Sequence, residues 1–223
     1  MSDTNKYKKK DTIVFDLDGT LLDTLEDLTV AVNYALDLCG MPTRTIGEIR
    51  QFVGNGVKKL MIRAVPDGEN NPQFEKAFEF FREYYEAHCN DKTRAYEGIP
   101  ELLQELKNAG YALAIVSNKI DSAVQELNKR YFPQVDVAVG DCEGLKRKPA
   151  PDSVFVALER LGKSKENAIY IGDSEVDIQT AKNSGLPCIS VLWGFRDKTF
   201  LQEHGADIFV EKPMEILDIV NNV

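Results

Sequence analysis

Two aspartates that follow an apolar segment are the residues in this sequence best placed to carry out chemistry. Residues 13–15 are Ile-Val-Phe, and they lead into Asp16 and Asp18, which are followed by Gly19 and Thr20. Side chains two apart on a strand face the same side, so the two carboxylates should project together. Two like charges held close are costly unless a cation or a proton compensates them. The segment therefore indicates a cation-binding or proton-transferring site, although Asp-Gly alone is also a common turn.

A second acidic cluster has the same form and favours the site over the turn. The apolar residues 168–171 precede Asp173, and Asp177 follows four residues later in a turn that starts a helix. In a parallel sheet both clusters emerge at the carboxyl edge, where the ligands of such sheets bind. The converging carboxylates would make an oxygen-rich site suited to Mg²⁺. An EF-hand does not fit, because the glycine of the first cluster comes too early for that loop and no glutamate closes it.

Three polar residues elsewhere could bind a phosphate. Ser117 and Asn118 follow a predicted strand at 112–116, where their side chains and the backbone N–H groups of a helix start could hold it. Both residue types also cap helices routinely, which is the alternative interpretation. Lys148 begins the segment Lys-Pro-Ala-Pro, whose stiffness could hold the ammonium inward as a point charge. A solvated surface lysine is the alternative there, and Lys146 lies close enough to be confused with it.

The elements that would position these residues alternate between strands and helices from about residue 98 onward. Pro100 can open one helix, which Gly110 closes, and Gly162 and Gly185 can close two others. This alternation predicts βαβ units, so we expect an α/β fold with a Rossmann-like parallel sheet covered on both faces. The predicted strands are residues 12–17, 111–116, 135–139, 168–171, 188–192 and 207–210. The predicted helices of this part are 101–109, 153–161, 175–184 and a last one that Pro213 starts.

The second strand follows the first by about 90 residues, and the intervening segment is helical in pattern. Four aromatic residues, from Phe74 to Tyr85, recur at spacings of four, three and four, which indicates one packed helix face. We therefore expect an inserted α-helical cap domain at residues 23–97, and a discontinuous catalytic core of residues 1–22 and 98–223. The helices predicted in the insert are 25–39, 46–52, 57–64 and 74–88.

Composition limits the function classes. Among the 223 residues, 36 are acidic and 27 are Lys or Arg, which gives a net charge of −9 and argues against general nucleic-acid binding. Four cysteines lie far apart without a CxxC pair, which indicates free thiols in a reducing compartment. The charged N-terminus has no signal-peptide pattern, and no apolar run approaches the roughly 20 residues of a membrane span. We therefore expect a cytoplasmic protein that does not bind membranes.

Taken in order, the polar segments resemble the four sequence motifs of the haloacid dehalogenase superfamily of phosphotransferases. Asp-Leu-Asp-Gly-Thr at 16–20 matches the first motif, Ser117 the second, Lys148 the third, and Gly-Asp-Ser-Glu-Val-Asp at 172–177 the fourth. A helical cap inserted after the first strand is also a feature of this superfamily. The segments that look most like phosphoglycolate phosphatases and their close relatives are residues 33–56, which include Val-Gly-Asn-Gly at 53–56, and residues 96–100 and 116–119.

The resemblance implies a role for each motif residue. Asp16 would be the nucleophile that forms an aspartyl-phosphate, Asp18 the general acid and base, and Lys148 the cation that offsets charge repulsion. Mg²⁺ would be the cofactor, held by the side chains of Asp16 and Asp173 and the backbone carbonyl of Asp18, with support from Asp177. The residues expected to hold the phosphoryl group or the substrate are Gly19, Thr20, Ser117, Asn118 and Lys148, with Asn55 and Lys58 or Arg63 as candidates from the cap. A turn followed by a helix start is the alternative interpretation of the segment around Asn55.

We therefore expect a Mg²⁺-dependent phosphatase that hydrolyses a small phosphorylated metabolite, with phosphoglycolate as the first candidate. The alternatives within the superfamily are a sugar phosphomutase resembling β-phosphoglucomutase, a pyrophosphatase and a 5′-nucleotidase. From other classes, a receiver-like module and a non-catalytic phosphate-binding protein stay open. Asp18 disfavours dehalogenases and phosphonate hydrolases, which lack an acid at this position, and transport ATPases, which carry a lysine there. The motifs make no prediction of the oligomeric state.

Overall fold

Residues 10–221 are described by the structure, which is a computed structural model. They divide into two units: one is Leu22–Arg94, here called the helical unit, and the other runs up to Leu21 and from Ala95 onward, here called the sheet unit. The assignment of residues 23–97 as a cap domain and of the remainder as a catalytic core stays a prediction. Within residues 10–221, no helix combines the length and the apolar character needed to cross a membrane.

The described residues form eight strands and ten α-helices. The strands are β1 (Thr12–Phe15), β2 (Leu22–Asp23), β3 (Arg94–Ala95), β4 (Ala112–Ile120), β5 (Val137–Asp141), β6 (Ala168–Gly172), β7 (Cys188–Val191) and β8 (Phe209–Val210). The helices are α1 (Leu25–Leu38), α2 (Ile46–Phe52), α3 (Val57–Ala64), α4 (Phe74–His88), α5 (Ile99–Asn108), α6 (Asp121–Tyr131), α7 (Asp152–Leu161), α8 (Glu175–Ser184), α9 (Lys198–Glu203) and α10 (Met214–Asn221). Of these helices, α9 was not predicted from the sequence, and α6 was expected only as a helix start at Ser117 and Asn118, without bounds.

Six strands of the sheet unit form one sheet in the order β5-β4-β1-β6-β7-β8, and neighbouring strands pair in parallel. β1 lies in the middle, where Phe15 is paired with Ile115 of β4 on one side and with Ile171 of β6 on the other. All four residues of β1 are buried, as expected for a strand that is covered on both faces. The predicted α/β fold with a Rossmann-like parallel sheet is confirmed. The carboxyl ends of β1, β4 and β6 therefore lie side by side.

Helices of the sheet unit begin and end at residues that carry the expected signals. Pro100 lies in the first turn of α5, where its missing N–H costs no hydrogen bond. Gly162 and Gly185 follow α7 and α8 in the left-handed conformation, with φ of 64° and 74°, which a glycine adopts without steric cost. Ala157 of α7 and Ala181 of α8 are buried in one core cluster with residues of β1, β4, β5 and β6. This packing fixes the start of α8 at the end of β6.

The main difference from the predicted elements is the length of β4. The sequence pattern ended this strand at residue 116, whereas the structure continues it to Ile120. The expectation that Ser117 and Asn118 stand at a helix start is therefore wrong, because both lie in the strand and α6 begins later. The extension depends on a tertiary contact, since β4 shifts register against β5 after Val116 and pairs again at Ile120. Such a long-range pairing leaves no local signal in the sequence.

The helical unit consists of α1 to α4, a 3₁₀ helix at Gly68–Asn70 and most of the two-stranded β2–β3 pair. Phe74, Phe81 and Tyr85 are buried along α4, which confirms that the aromatic spacing marks a packed helix face. The rings of Phe81 and Tyr85 stack with centroids 5.3 Å apart. Thr45 and Glu48 form a reciprocal capping box that fixes the start of α2.

The carboxylate of Asp27 is buried in α1 and ties the end of the helical unit to that helix. It accepts the backbone N–H of Lys92 at 3.0 and 3.1 Å and that of Thr93 at 2.8 Å. Asp27→Ala leaves these donors without the carboxylate, so we expect the free energy of unfolding to fall by about 2–4 kcal/mol. Urea denaturation measures this change. Asp37→Ala, on the exposed face of the same helix, is the control and should change it by less than about 0.5 kcal/mol; equal losses in both variants would contradict the role of Asp27.

Candidate active site

Three aspartates meet at the carboxyl edge of the central strands. Asp16 follows β1, Asp173 follows β6, and Asp177 lies in the first turn of α8. Because β1 and β6 are parallel neighbours, the residues after their last paired positions emerge together. Each aspartate offers one carboxylate oxygen, and these oxygens lie within 4.8 Å of one another. All three side chains are buried. The structure therefore brings Asp16 of the first acidic cluster together with both aspartates of the second, whereas Asp18 is not part of this group.

Asp177 is fixed by the turn between β6 and α8. Its Oδ2 accepts the backbone N–H of Ser174 at 3.2 Å and the Ser174 hydroxyl at 2.6 Å, while its Oδ1 accepts the hydroxyl of Tyr170 at 2.9 Å. Gly172 allows this close turn, since a Cβ there would lie 2.3 Å from the Cβ of Asp177. The carboxylate is therefore held in place by hydrogen bonds and by contact with the strand.

Lys148 places a positive charge among these carboxylates. Its Nζ donates to Asp16 Oδ1 at 2.6 Å, to Asp177 Oδ1 at 2.8 Å and to the Tyr170 hydroxyl at 3.1 Å. Its backbone is held by Asn118, whose Oδ1 accepts the Lys148 N–H at 2.8 Å and whose Nδ2 donates to the Lys148 carbonyl at 3.1 Å. Lys148 is buried and Lys146 is exposed, so the surface interpretation of Lys148 is wrong and the two lysines are distinguished.

Burial raises the pKa values of Asp16 and Asp173, so these two carboxyl groups are hard to ionise when no cation is bound. Desolvation raises the pKa of Asp16 well above its usual range; Asp177 and Asp173 raise it further, and Lys148 opposes them. Desolvation and the charge of Asp177 raise the pKa of Asp173 to about 7. Burial alone would lower the pKa of Lys148, but Asp16 and Asp177 raise it above its usual range. One ammonium against three carboxylates leaves excess negative charge on an all-oxygen donor set, which fits a divalent cation.

The side chain of Asp18 does not belong to the three-aspartate cluster and has its own cationic partner. Its Oδ1 accepts a hydrogen bond from Lys119 Nζ at 3.1 Å. The Lys119 side chain is 5% exposed and that of Asp18 is 18% exposed, so the pair is only partly screened by water. Sequence reasoning gave Lys119 no role. It could have been found from β4, because residues two apart on a strand share a side and Ser117 is two residues before it.

Gly19 and Thr20 lie close to Asp173, and Thr20 also lies close to Asp16. Gly19 has a φ of 92°, and a Cβ there would lie 2.4 Å from Asp173 Oδ2, so only glycine fits. The Thr20 hydroxyl lies 3.5 Å from Asp16 Oδ2 and 3.4 Å from Asp173 Oδ1. Ser117 is buried, and its Oγ accepts the backbone N–H of Lys119 at 3.1 Å. These residues surround the carboxylates without adding another charge.

A loop at residues 193–196, after β7, was missed in the sequence and touches both acidic clusters. The indole N–H of Trp193 donates to the carbonyl of Thr20 at 3.0 Å, and the Phe195 N–H donates to Asp173 Oδ2 at 2.7 Å. Gly194 lets the loop approach, since a Cβ there would lie 2.3 Å from the Cβ of Asp173. The only signal in the sequence was its position after a strand of a parallel sheet, where binding loops are expected.

Asn55 and Lys58, the predicted substrate contacts from the cap, lie in the helical unit. Asn55 Oδ1 accepts a hydrogen bond from Arg63 at 2.7 Å, and the Lys58 ammonium forms an ion pair with Glu69 at 3.0 Å. Both contacts are within the helical unit and exposed to solvent. Their contribution to substrate binding stays a prediction.

The raised pKa of Asp173 makes cation binding dependent on pH. Between pH 3.8 and about 7, Asp173 holds a proton in the folded chain without a cation, whereas the unfolded chain has lost it. Binding of this proton stabilises the folded chain, and that stabilisation is lost as pH rises through the window. A cation must displace the proton, and we expect the Mg²⁺ affinity to be roughly 30-fold lower at about pH 5.5 than at about pH 8. Titration calorimetry measures the affinity, and Asp173→Asn should remove the binding at both pH values. Equal affinities for the unchanged protein would contradict the assignment.

Substitution of Gly194 tests whether the loop at residues 193–196 positions Asp173. Gly194→Ala places a methyl group against Asp173 and the Gly19 carbonyl, so the loop must shift and the hydrogen bond from Phe195 must weaken. We expect the Mg²⁺ affinity to fall by about 10- to 100-fold, as is usual when a group that orients a metal ligand is lost. Gly47→Ala is the control, because a Cβ at Gly47 meets only the Thr45 hydroxyl at 4.0 Å. Unchanged affinity in Gly194→Ala would show that the loop does not position Asp173.

Comparison with known proteins identifies the family that shares this arrangement. Residues 13–191 match the family model described as haloacid dehalogenase-like hydrolase. The chain is 31% identical over 219 residues to a phosphoglycolate phosphatase of Aquifex aeolicus, covering 94% of this chain and 96% of that protein. It is 29% identical to an N-acetylmuramic acid 6-phosphate phosphatase of Pseudomonas aeruginosa, covering 97% of each chain.

A solved structure agrees with these relatives. A protein from Lactobacillus delbrueckii subsp. bulgaricus, provisionally named a phosphoglycolate phosphatase, superposes with a TM-score of 0.91 at 37% identity. The match covers 96% of this chain and 99% of that one. The resemblance seen in the four motifs is confirmed, and the chain belongs to the haloacid dehalogenase-like hydrolase family.

Proposed function

We propose that this protein is a Mg²⁺-dependent phosphatase that hydrolyses a small phosphorylated metabolite through an aspartyl-phosphate on Asp16. The observation that carries the proposal is the buried cluster of Asp16, Asp173 and Asp177 with the Lys148 ammonium bonded inside it. Family membership and the two relatives named as phosphatases support the reaction class. Phosphoryl transfer needs positioning and charge neutralisation above all, and this cluster supplies both.

In the first half-reaction a carboxylate oxygen of Asp16 attacks phosphorus as the bond from phosphorus to the ester oxygen breaks. Asp18 gives its proton to the leaving oxygen, so the alcohol departs neutral. Lys148 offsets the repulsion between the carboxylate and the incoming phosphate, with Ser117 and Asn118 as further phosphoryl contacts. A bound Mg²⁺, held by Asp16, Asp173 and the Asp18 carbonyl with support from Asp177, would supply neutralisation of the phosphate charge.

In the second half-reaction water attacks phosphorus and the bond to Asp16 breaks. Asp18, now ionised, takes a proton from the water, so inorganic phosphate leaves and both aspartates return to their starting forms. The Lys119 ammonium, 3.1 Å from Oδ1, stays hydrogen-bonded to Asp18 and holds its side chain in place. The same carboxyl group therefore serves as acid and then as base.

The proposed substrate is a small phosphorylated metabolite, and phosphoglycolate is the first candidate because relatives of that name match over nearly the whole chain. The net charge of −9 repels such an anion at long range, so capture must depend on local cations at the site. Asn55 and Lys58 remain candidate substrate contacts from the helical unit. We place the protein in the cytoplasm, which the four cysteines without a disulfide support.

Substitution of the two catalytic aspartates tests the mechanism. Asp16→Asn removes the nucleophile, and we expect kcat to fall by at least about a thousandfold, the scale of losing a covalent catalyst. Asp18→Asn should still accept the phosphoryl group from an aryl phosphate, whose leaving group needs little protonation, but should release it slowly. Phosphate release gives the rates, and peptide mapping by mass spectrometry locates the phosphoryl group that accumulates on Asp16.

Asp37→Asn, at an exposed position, is the matched control. It should release phosphate at the wild-type rate and should accumulate no phosphoryl group on Asp16. Turnover by Asp16→Asn close to that of the unchanged protein would rule out the aspartyl-phosphate. A labelled phosphate that appears on a second hydroxyl of the substrate instead of in solution would indicate a phosphomutase.

A further inference from the structure

Lys119 is a buried cation whose charge the proposed reaction does not require for phosphoryl binding. Its side chain is 5% exposed, and its ammonium lies 3.1 Å from Asp18 Oδ1. Keeping an ammonium out of water is costly, so a lysine in this position is expected to serve a binding or catalytic purpose. Lys148, by contrast, is directed to the carboxylates of Asp16 and Asp177, where the phosphoryl group is transferred.

The contact with Asp18 places Lys119 beside the leaving group. To donate its proton, Asp18 must come within a hydrogen bond of the ester oxygen, roughly 2.5–3.0 Å. The Lys119 ammonium then lies no more than roughly 6 Å from that oxygen when Oδ1 carries the proton. A carboxylate bonded to the ester carbon can reach the ammonium when it lies on the Asp18 side of that oxygen. An ammonium has three N–H donors, so it can bind Asp18 and a second carboxylate together.

The charge of the protein makes such a cation necessary for an acidic leaving group. With 36 acidic residues against 27 lysines and arginines, the protein repels a substrate that carries a carboxylate in addition to its phosphate. The aspartates of the site add local repulsion on the same side. A buried ammonium next to Asp18 would counter it where the carboxylate must lie.

We propose that Lys119 binds the carboxylate of the leaving group, and that this contact makes the enzyme prefer phosphate esters of 2-hydroxy acids. This inference rests on the proposed phosphatase function and names the residue that selects its substrate class. Lys119 is then a specificity residue that contacts substrate, in addition to its ion pair with Asp18. A role confined to positioning Asp18 would instead affect esters with and without a carboxylate alike, which separates the two roles by experiment.

The test compares 2-phosphoglycolate with 2-hydroxyethyl phosphate, in which a hydroxymethyl group replaces the carboxylate. We expect the unchanged enzyme to favour phosphoglycolate in kcat/KM. In Lys119→Met the ratio of the two kcat/KM values should fall at least about tenfold, mainly through KM for phosphoglycolate, as is usual for loss of a charge-assisted hydrogen bond. Lys119→Arg keeps the charge and should retain part of the preference. Lys146→Met makes the same charge change at an exposed position and should leave the ratio unchanged.

Two results would overturn the assignment of Lys119 without affecting the proposed phosphatase function. One is an equal loss of kcat/KM on both esters in Lys119→Met, and the other is a wild-type enzyme that does not prefer phosphoglycolate. Absence of phosphate release from both esters and from p-nitrophenyl phosphate would overturn the proposed function with it. If Lys119→Met does not fold, competitive inhibition of the unchanged enzyme by the product glycolate is compared with inhibition by ethylene glycol. Stronger inhibition by glycolate supports the inference, and equal inhibition overturns it.

Discussion

The attraction between the Lys148 ammonium and the carboxylates of Asp16 and Asp177, away from water, is the interaction on which the site depends. Each ion loses hydration worth several kcal/mol, and only close partners recover it. The Lys148 contacts of 2.6 and 2.8 Å provide part of that recovery. Burial first, and then the charge of Asp177, raise the pKa of Asp173 to about 7, because the carboxylates still outnumber the ammonium. The remaining repulsion favours the binding of a divalent cation, and the neighbouring structure holds the carboxylates together against it.

The structure that holds the carboxylates together consists of backbone N–H groups and hydroxyls rather than additional charge. The Phe195 N–H bonds Asp173 and the Ser174 N–H bonds Asp177, so two acids are fixed by groups that every fold possesses. Glycines allow the approach: a side chain at Gly172 or Gly194 would overlap an aspartate. The parallel sheet brings these segments to one edge because its strands all end there. The site is thus a property of strand order as much as of residue type.

The parts of the fold and site that follow from local pattern were predictable. Apolar strands ending in aspartates, with the rule for parallel sheets, placed Asp16 and Asp173 together, and proline and glycine signals located most helix ends. The extension of β4 was not predictable, because it depends on renewed pairing with β5 at Ile120. The partnership of Lys119 with Asp18 depends on that extension. The loop after β7 acts mainly through backbone and glycine contacts, which leave little trace in composition.

Trp193 is an intrinsic fluorescence probe that lies beside the candidate active site. It is the one tryptophan among 223 residues, and its indole N–H is bonded to the carbonyl of Thr20, four residues after Asp16, the proposed nucleophile. Fluorescence excited at wavelengths that tyrosine does not absorb therefore comes from Trp193 alone, which is hydrogen-bonded to the loop after β1. Small movements of that loop on cation binding, phosphorylation or product release would change the hydrogen bond and hence the emission. Rapid-mixing fluorescence can report such movements without an added label.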